Sequence, residues 1–143
     1  MRLQDAGASR THGRAKSLRK EPVIALFDVT TDLLQQAMQG AAARQAALAN
    51  NVANANTPGY KRVDVDFHKV MEDALSDGLS SEDVDGGLDF TAQPDGTGAT
   101  RADGGNVDAD IEMASLAENS LEYQALAQIQ KTRMHILETV IGR

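Results

Sequence analysis

The residue types that most often carry chemistry are thinly spread in this chain. Its three histidines, His12, His68 and His135, lie far apart. None belongs to a metal-binding spacing such as H-E-x-x-H, which puts two imidazoles on one helix face. Cysteine is absent, which excludes a disulfide framework and thiolate chemistry. Two acidic stretches, DVDGGLD at residues 83–89 and DADIE at residues 108–112, invite a calcium reading. A calcium loop needs carboxylates at alternate positions, then glycine, then a distal bidentate glutamate, and neither stretch has that order. The first reads as solvated loop. The second reads as carboxylates at a helix start, where the positive end of the helix dipole favours them. There is no G-x-S-x-G nucleophile elbow and no G-x-x-x-x-G-K-[ST] phosphate loop. The expectation is a protein with no catalytic residue, no metal site and no cofactor.

The elements that would position a site are helices with little bulk. Hydrophobic residues make up 41% of the 143-residue chain, but aromatics only 3%, and tryptophan is absent. Much of the apolar share is alanine, which forms helices well and fills little volume. Thin helix-on-helix packing suits this composition, and a deep pocket for a small-molecule substrate does not. The net charge of −7 argues against a general nucleic-acid binder. No apolar run approaches the roughly 20 residues of a membrane span. Near the N-terminus, Arg2, Arg10, Arg14, Lys16, Arg19 and Lys20 precede no apolar segment long enough for a cleavable secretory signal.

Four zones follow from the pattern. Residues 1–22 are basic and lack a helical period, which predicts a disordered extension; alternatively the natural start lies near Val23. Residues 23–60 hold the first strong element, a helix over 27–56 with Thr30, Thr31 and Asp32 as N-cap candidates. Leu34, Met38, Ala41, Gln45, Leu48, Val52 and Ala55 recur at alternating steps of four and three, a heptad seam with one polar member. Residues 61–109 predict a short helix around 66–75 and then a flexible acidic insert rich in Gly, Ser and Asp, in which Leu88, Asp89, Phe90 and Thr91 could pair as a strand if a partner were present. Residues 110–143 predict a second long helix. One seam runs Met113, Leu116, Ser120, Tyr123, Ala127, Gln130, Met134, Leu137, Ile141, and another Leu126, Ile129, Ile136, Val140. Two adjacent apolar stripes imply more than one neighbour. The fold class is therefore all-α, with long terminal helices pairing as a coiled coil around a flexible Gly/Asp-rich middle.

Between the first helix and the middle lies NNVANANTPGYKR, residues 50–62. Proline disfavours helical geometry in the residue before it, so Thr57 is extended and the helix ends by about Asn56. Pro58 and Gly59 fit the two central positions of a type II turn, the second of which requires positive φ. Asn51 and Asn54 can bond the last carbonyls of the helix or side chains of a neighbouring helix, and Tyr60 adds a large amphipathic ring. The stretch reads either as a plain turn or as a rigid corner that redirects the chain.

These residues resemble a known family. ALANNVANANTPGYKRVDVDF (47–67) closely resembles the signature of bacterial flagellar basal-body rod proteins, including Asn51, Asn54, Asn56, Thr57, Pro58, Gly59 and Tyr60. GGNVDADIEMASLAENSLEYQALAQIQKTRMHILETVIGR (104–143) resembles the C-terminal helix of a proximal rod member, and LFDVTTDLLQQAM (26–38) agrees with its opening. The resemblance implies a structural, non-enzymatic subunit, exported through the flagellar type III apparatus without a cleaved signal and stacked helically into the periplasmic rod that transmits torque. It implies as partners other copies of the chain, other rod proteins, an adaptor at the junction with the MS ring, and the export gate. Phe67 and Met71 are similar to the Phe-x-x-x-apolar signal read by that gate; equally they fit an ordinary amphipathic helix start. The rival expectation is a cytoplasmic helical adaptor or export chaperone.

Overall fold

The computed structural model describes residues 22–76 and 87–142, with the side chains of 22–28 outside the description. The predicted extension over 1–22 lies almost wholly outside the described residues. Three helices and one short ladder follow in order: α1 (Pro22–Ala53), β1 (Val63–Asp64), α2 (Phe67–Ser76), β2 (Gln93–Pro94) and α3 (Ala109–Ile141). The fold is all-α, and α1 and α3 pair along one another as a helical hairpin.

Helix α1 starts earlier than the cap candidates suggest. Pro22 occupies its first position, where the missing N–H is harmless and the fixed φ is already helical. Thr30, Thr31 and Asp32 lie inside the helix, and Thr30 Oγ1 accepts a hydrogen bond from Arg133 Nη2 at 2.5 Å. Its buried face carries Ala41, Ala47, Leu48 and Asn51, with Ala55 buried just past its end, and Leu34, Met38 and Val52 are half-buried beside them. Helix α3 has 33 residues, about 50 Å at 1.5 Å per residue. Asp108 is its N-cap and accepts from the amides of Asp110 and Ile111 at 3.0 and 3.3 Å, satisfying donors the helix cannot satisfy itself.

The line along which α3 meets α1 differs from the predicted seam. Its fully buried members are Glu112 and Asn119, both polar. Asn119 Nδ2 donates to the Ala41 carbonyl at 2.9 Å and to Gln45 Oε1 at 2.7 Å, and Gln45 Nε2 donates to Ser120 Oγ at 3.2 Å. Leu116 and Leu137 are half-buried, and Met113, Tyr123, Met134 and Ile141 are exposed, Ile141 by 80%. Apolar periodicity marks stripes beside the contact line, because the contact line itself is polar, bonded to the Ala41 carbonyl and to the side chains of Gln45 and Asn51 on α1.

A small core sits where α2 crosses α1. Ala41, Ala47, Val65 and Phe67 form it, with Ala43, Val63, Met71, Phe90 and Leu126 packed against it. Gly40 permits this crossing, since a Cβ there would lie 2.7 Å from Phe67 Cβ and 2.9 Å from Phe90 Cε1. The predicted short helix over 66–75 is found as α2. The expected flexible insert is, over residues 87–108, hydrogen-bonded to the hairpin. Pairing falls at Gln93–Pro94 with Val63–Asp64, antiparallel, and residues 88–91 lie outside that ladder. The contacts that hold this stretch against the hairpin are polar and are described next.

Candidate functional site

The turn after α1 is built as the residue types dictate. The Tyr60 amide donates to the Thr57 carbonyl at 3.2 Å, and Gly59 has φ of 74°, the positive value a type II turn needs at that position. Asn54 Nδ2 donates to the Asn50 carbonyl at 2.9 Å, and Thr57 Oγ1 donates to Asn54 Oδ1 at 3.3 Å. Asn54 thus closes the helix end. Asn56, Thr57, Pro58 and Gly59 are exposed at the corner.

Asn51 does something different. It is fully buried and treats Val63 as a strand partner would. Its Nδ2 donates to the Val63 carbonyl at 2.7 Å, and its Oδ1 accepts from the Val63 amide at 3.0 Å. The same Nδ2 donates to Glu112 Oε2 at 2.9 Å, and the Tyr60 hydroxyl donates to Asn51 Oδ1 at 3.4 Å. One amide side chain therefore fastens the end of α1 to the chain beyond the corner and to the start of α3.

Arg62 completes the arrangement. Its Nε donates to Glu112 Oε1 at 2.5 Å, its Nη2 to Asp64 Oδ2 at 2.8 Å, and its Nη1 to Asp95 Oδ2. Its amide donates to Asn106 Oδ1 at 2.7 Å, and its carbonyl accepts from the Asp95 amide at 2.8 Å. Arg44 Nε reaches Asp64 Oδ1 at 3.2 Å. Two guanidinium groups thus face three carboxylates, and Glu112 is only 1% exposed. Burial pulls the Arg62 pKa down, but hydrogen bonds to Glu112 and Asp64 and their charges outweigh it, so the group is held above its ordinary value. Asp95 is held below its ordinary carboxylate value, first by the Thr97 backbone amide and, against an opposing burial penalty, by the Thr97 hydroxyl and Arg62. Burying an ion pair is not in itself a large stabilisation; leaving one member without its partner is costly. The knot therefore specifies which segments meet.

This arrangement can hold chain segments together. Among the described residues no group of three or more His, Asp or Glu side chains could hold a metal ion, and no helix is long and apolar enough to cross a membrane. An open groove of about 370 Å³ between α1 and α3 is lined by Ala41, Ala42, Gln45, Ser120, Tyr123 and Gln124. The structure brings Asn51, Asn54 and Tyr60 together, buries Phe67 and half-buries Met71 in the small core, and leaves Met113, Tyr123, Met134 and Ile141 facing outward. Sequence reasoning missed Arg62, Asp64, Asp95, Asn106 and Glu112 as one site. Glu112 was legible only as helix-start charge, and Arg62 as the residue after a turn.

The comparisons agree with this geometry. The family described as "Flagella basal body rod protein" matches residues 32–61, the part of α1 and the corner that contain Asn51 and the turn. The flagellar basal body rod protein FlgB of Bacillus subtilis is 31% identical over 127 residues, covering 82% of this chain and 97% of that protein. Its namesake in Escherichia coli is 31% identical over 135 residues, covering 79% and 96%, and that of Aeromonas hydrophila is 30% identical over 120 residues, covering 76% and 89%. With two long terminal helices tied at one end by the signature residues themselves, and likeness that runs nearly the full length of those relatives, the chain belongs to the FlgB family of flagellar basal body rod proteins and is a structural subunit of that rod.

Proposed function

We propose that the chain works without catalysis, packing helically with copies of itself and with other proteins of the basal body to form the proximal, periplasmic part of the rod and to pass torque toward the hook and filament. The observation that carries this reading is the set of large apolar side chains left outward on α3. Ile111, Met113, Leu121, Tyr123, Ile129, Met134, Ile136, Val140 and Ile141 are all exposed, far more along one helix than scattered surface residues explain. Helix-on-helix packing with neighbouring subunits covers such stripes, and repetition of modest contacts at about 25 cal/mol per Å² stiffens a shaft. The proposed neighbours include an adaptor at the junction with the MS ring.

The chain reaches the rod through the flagellar type III export gate, without a cleaved signal. Phe67 and Met71 are the candidate gate signal. Phe67 is 3% exposed in the folded chain, so only an unfolded chain presents it. The test is to locate tagged protein in isolated basal bodies, with an export-deficient strain as control. Recovery in the rod fraction of the competent strain alone is expected. Retention in the cytoplasm of both strains overturns the reading in favour of a cytoplasmic helical adaptor or export chaperone.

A further inference from the structure

The signature stretches around residues 51–62 and 106–112 are far apart in sequence, and they meet on one side chain. The chain leaves Arg62 at Asp95, whose amide and carboxylate both bond it, and returns to it at Asn106 and Glu112. Between these points residues 93–106 form a strap. Asn106 braces the strap from inside, its Nδ2 donating to the carbonyls of Asp95 at 2.9 Å and Thr97 at 3.3 Å. Val107, buried, and Asp108, the N-cap, then run directly into α3.

We infer that Arg62 is a counter-ion shared between this strap and the first turn of α3, so that the two dock and undock as one unit. Lifting the strap removes the Asp95 carboxylate and the Asn106 amide from Arg62. It opens the guanidinium, whose side chain is only 12% exposed, to water that competes for it. Glu112 then holds a weakened partner in a buried place. Lifting the first turn of α3 withdraws Glu112 and pulls Asn106 away through Val107 and Asp108, the two residues between it and the helix. Coupling of this kind is reciprocal. Whatever grips the exposed strap residues Pro94, Gly96, Thr97 and Gly98 also tightens the pairing of α1 with α3, and whatever loosens that pairing frees the strap. The inference concerns the isolated chain and holds whatever the chain assembles with.

Hydrogen exchange by mass spectrometry on the full chain tests it from both sides. Asp95→Asn keeps the side-chain shape and removes the charge at the strap. Exchange is expected to rise about tenfold, both over 93–106 and over the first turns of α3, 109–116. Asp108→Ala removes the α3 cap without touching Arg62, and is expected to raise exchange several-fold at 109–116 and also at the Asp95 and Thr97 amides. Lys69→Ala, on an exposed pair of α2, serves as the control that leaves both regions unchanged. Exchange that rises only in the altered segment in either variant overturns the inference. If Asp95→Asn unfolds the whole chain, the Asp108→Ala arm alone decides.

Discussion

At the scale of single residues, the site depends on two kinds of side chain: those that imitate backbone and those that balance buried charge. Asn51 is the first kind, giving the Val63 peptide the donor and acceptor a strand would give. Arg62 is the second. Arg62→Met leaves the Glu112 carboxylate buried without a cation and is expected to cost about 3–5 kcal/mol, read as a lower midpoint of urea unfolding. Adding Glu112→Leu should restore part of that loss, since a matched apolar pair needs no counter-ion; a double variant less stable than Arg62→Met would contradict the account. Gly59→Val is a cleaner test of the corner. A Cβ at Gly59 meets nothing within 4 Å, so the only penalty is a branched side chain at φ of 74°, about 1–2 kcal/mol. Acid acts through Asp95. A depressed carboxylate contributes stability that is fully present above its unfolded pKa and lost as pH falls through the lower folded value. The strap is therefore expected to hold through neutral pH and to loosen only below the ordinary 3.8, and Asp95→Asn should flatten that limb of the stability profile.

At the scale of elements, the crossing of α2 over α1 depends on Gly40. Gly40→Ala forces a methyl against Phe67 Cβ, which is fixed to its own backbone and cannot swing aside. We expect a loss of about 1–3 kcal/mol, with increased protease sensitivity in α2 and little change in the helicity of α3. The same element shows what the sequence allowed and what it did not. The inward face of α1 could be read because Ala41 and Leu48 are apolar and buried one heptad apart. The corner was legible because Pro58 and Gly59 have few alternatives. The contact line of α3 was not, since Glu112 and Asn119 face inward and Met134 faces outward, inverting the rule that periodicity uses. The contacts of residues 87–108 were hidden for a related reason. They are long-range and polar, between Arg62 and Asp95 and between Lys61 Nζ and the Gly104 carbonyl, and no local composition reveals them.

At the scale of the whole molecule, the chain is a hairpin secured at one end by charge and left apolar along the outward sides of α3. That combination separates folding from assembly. Ile136 is 52% exposed, so Ile136→Asp should alter the stability of the dilute chain by no more than about 0.5 kcal/mol while removing it from isolated rods; destabilisation without an assembly defect would place the side chain in the fold instead. The most direct test of cover by neighbouring subunits uses the absence of cysteine from the chain, which makes a single introduced thiol unique. Ile136→Cys is labelled with a maleimide in the dilute protein and in isolated basal bodies, and the two rates are compared. The account predicts rapid labelling of the free chain and strong protection in the rod. Equal rates in both would mean that this flank stays open in the assembled organelle, and would contradict it.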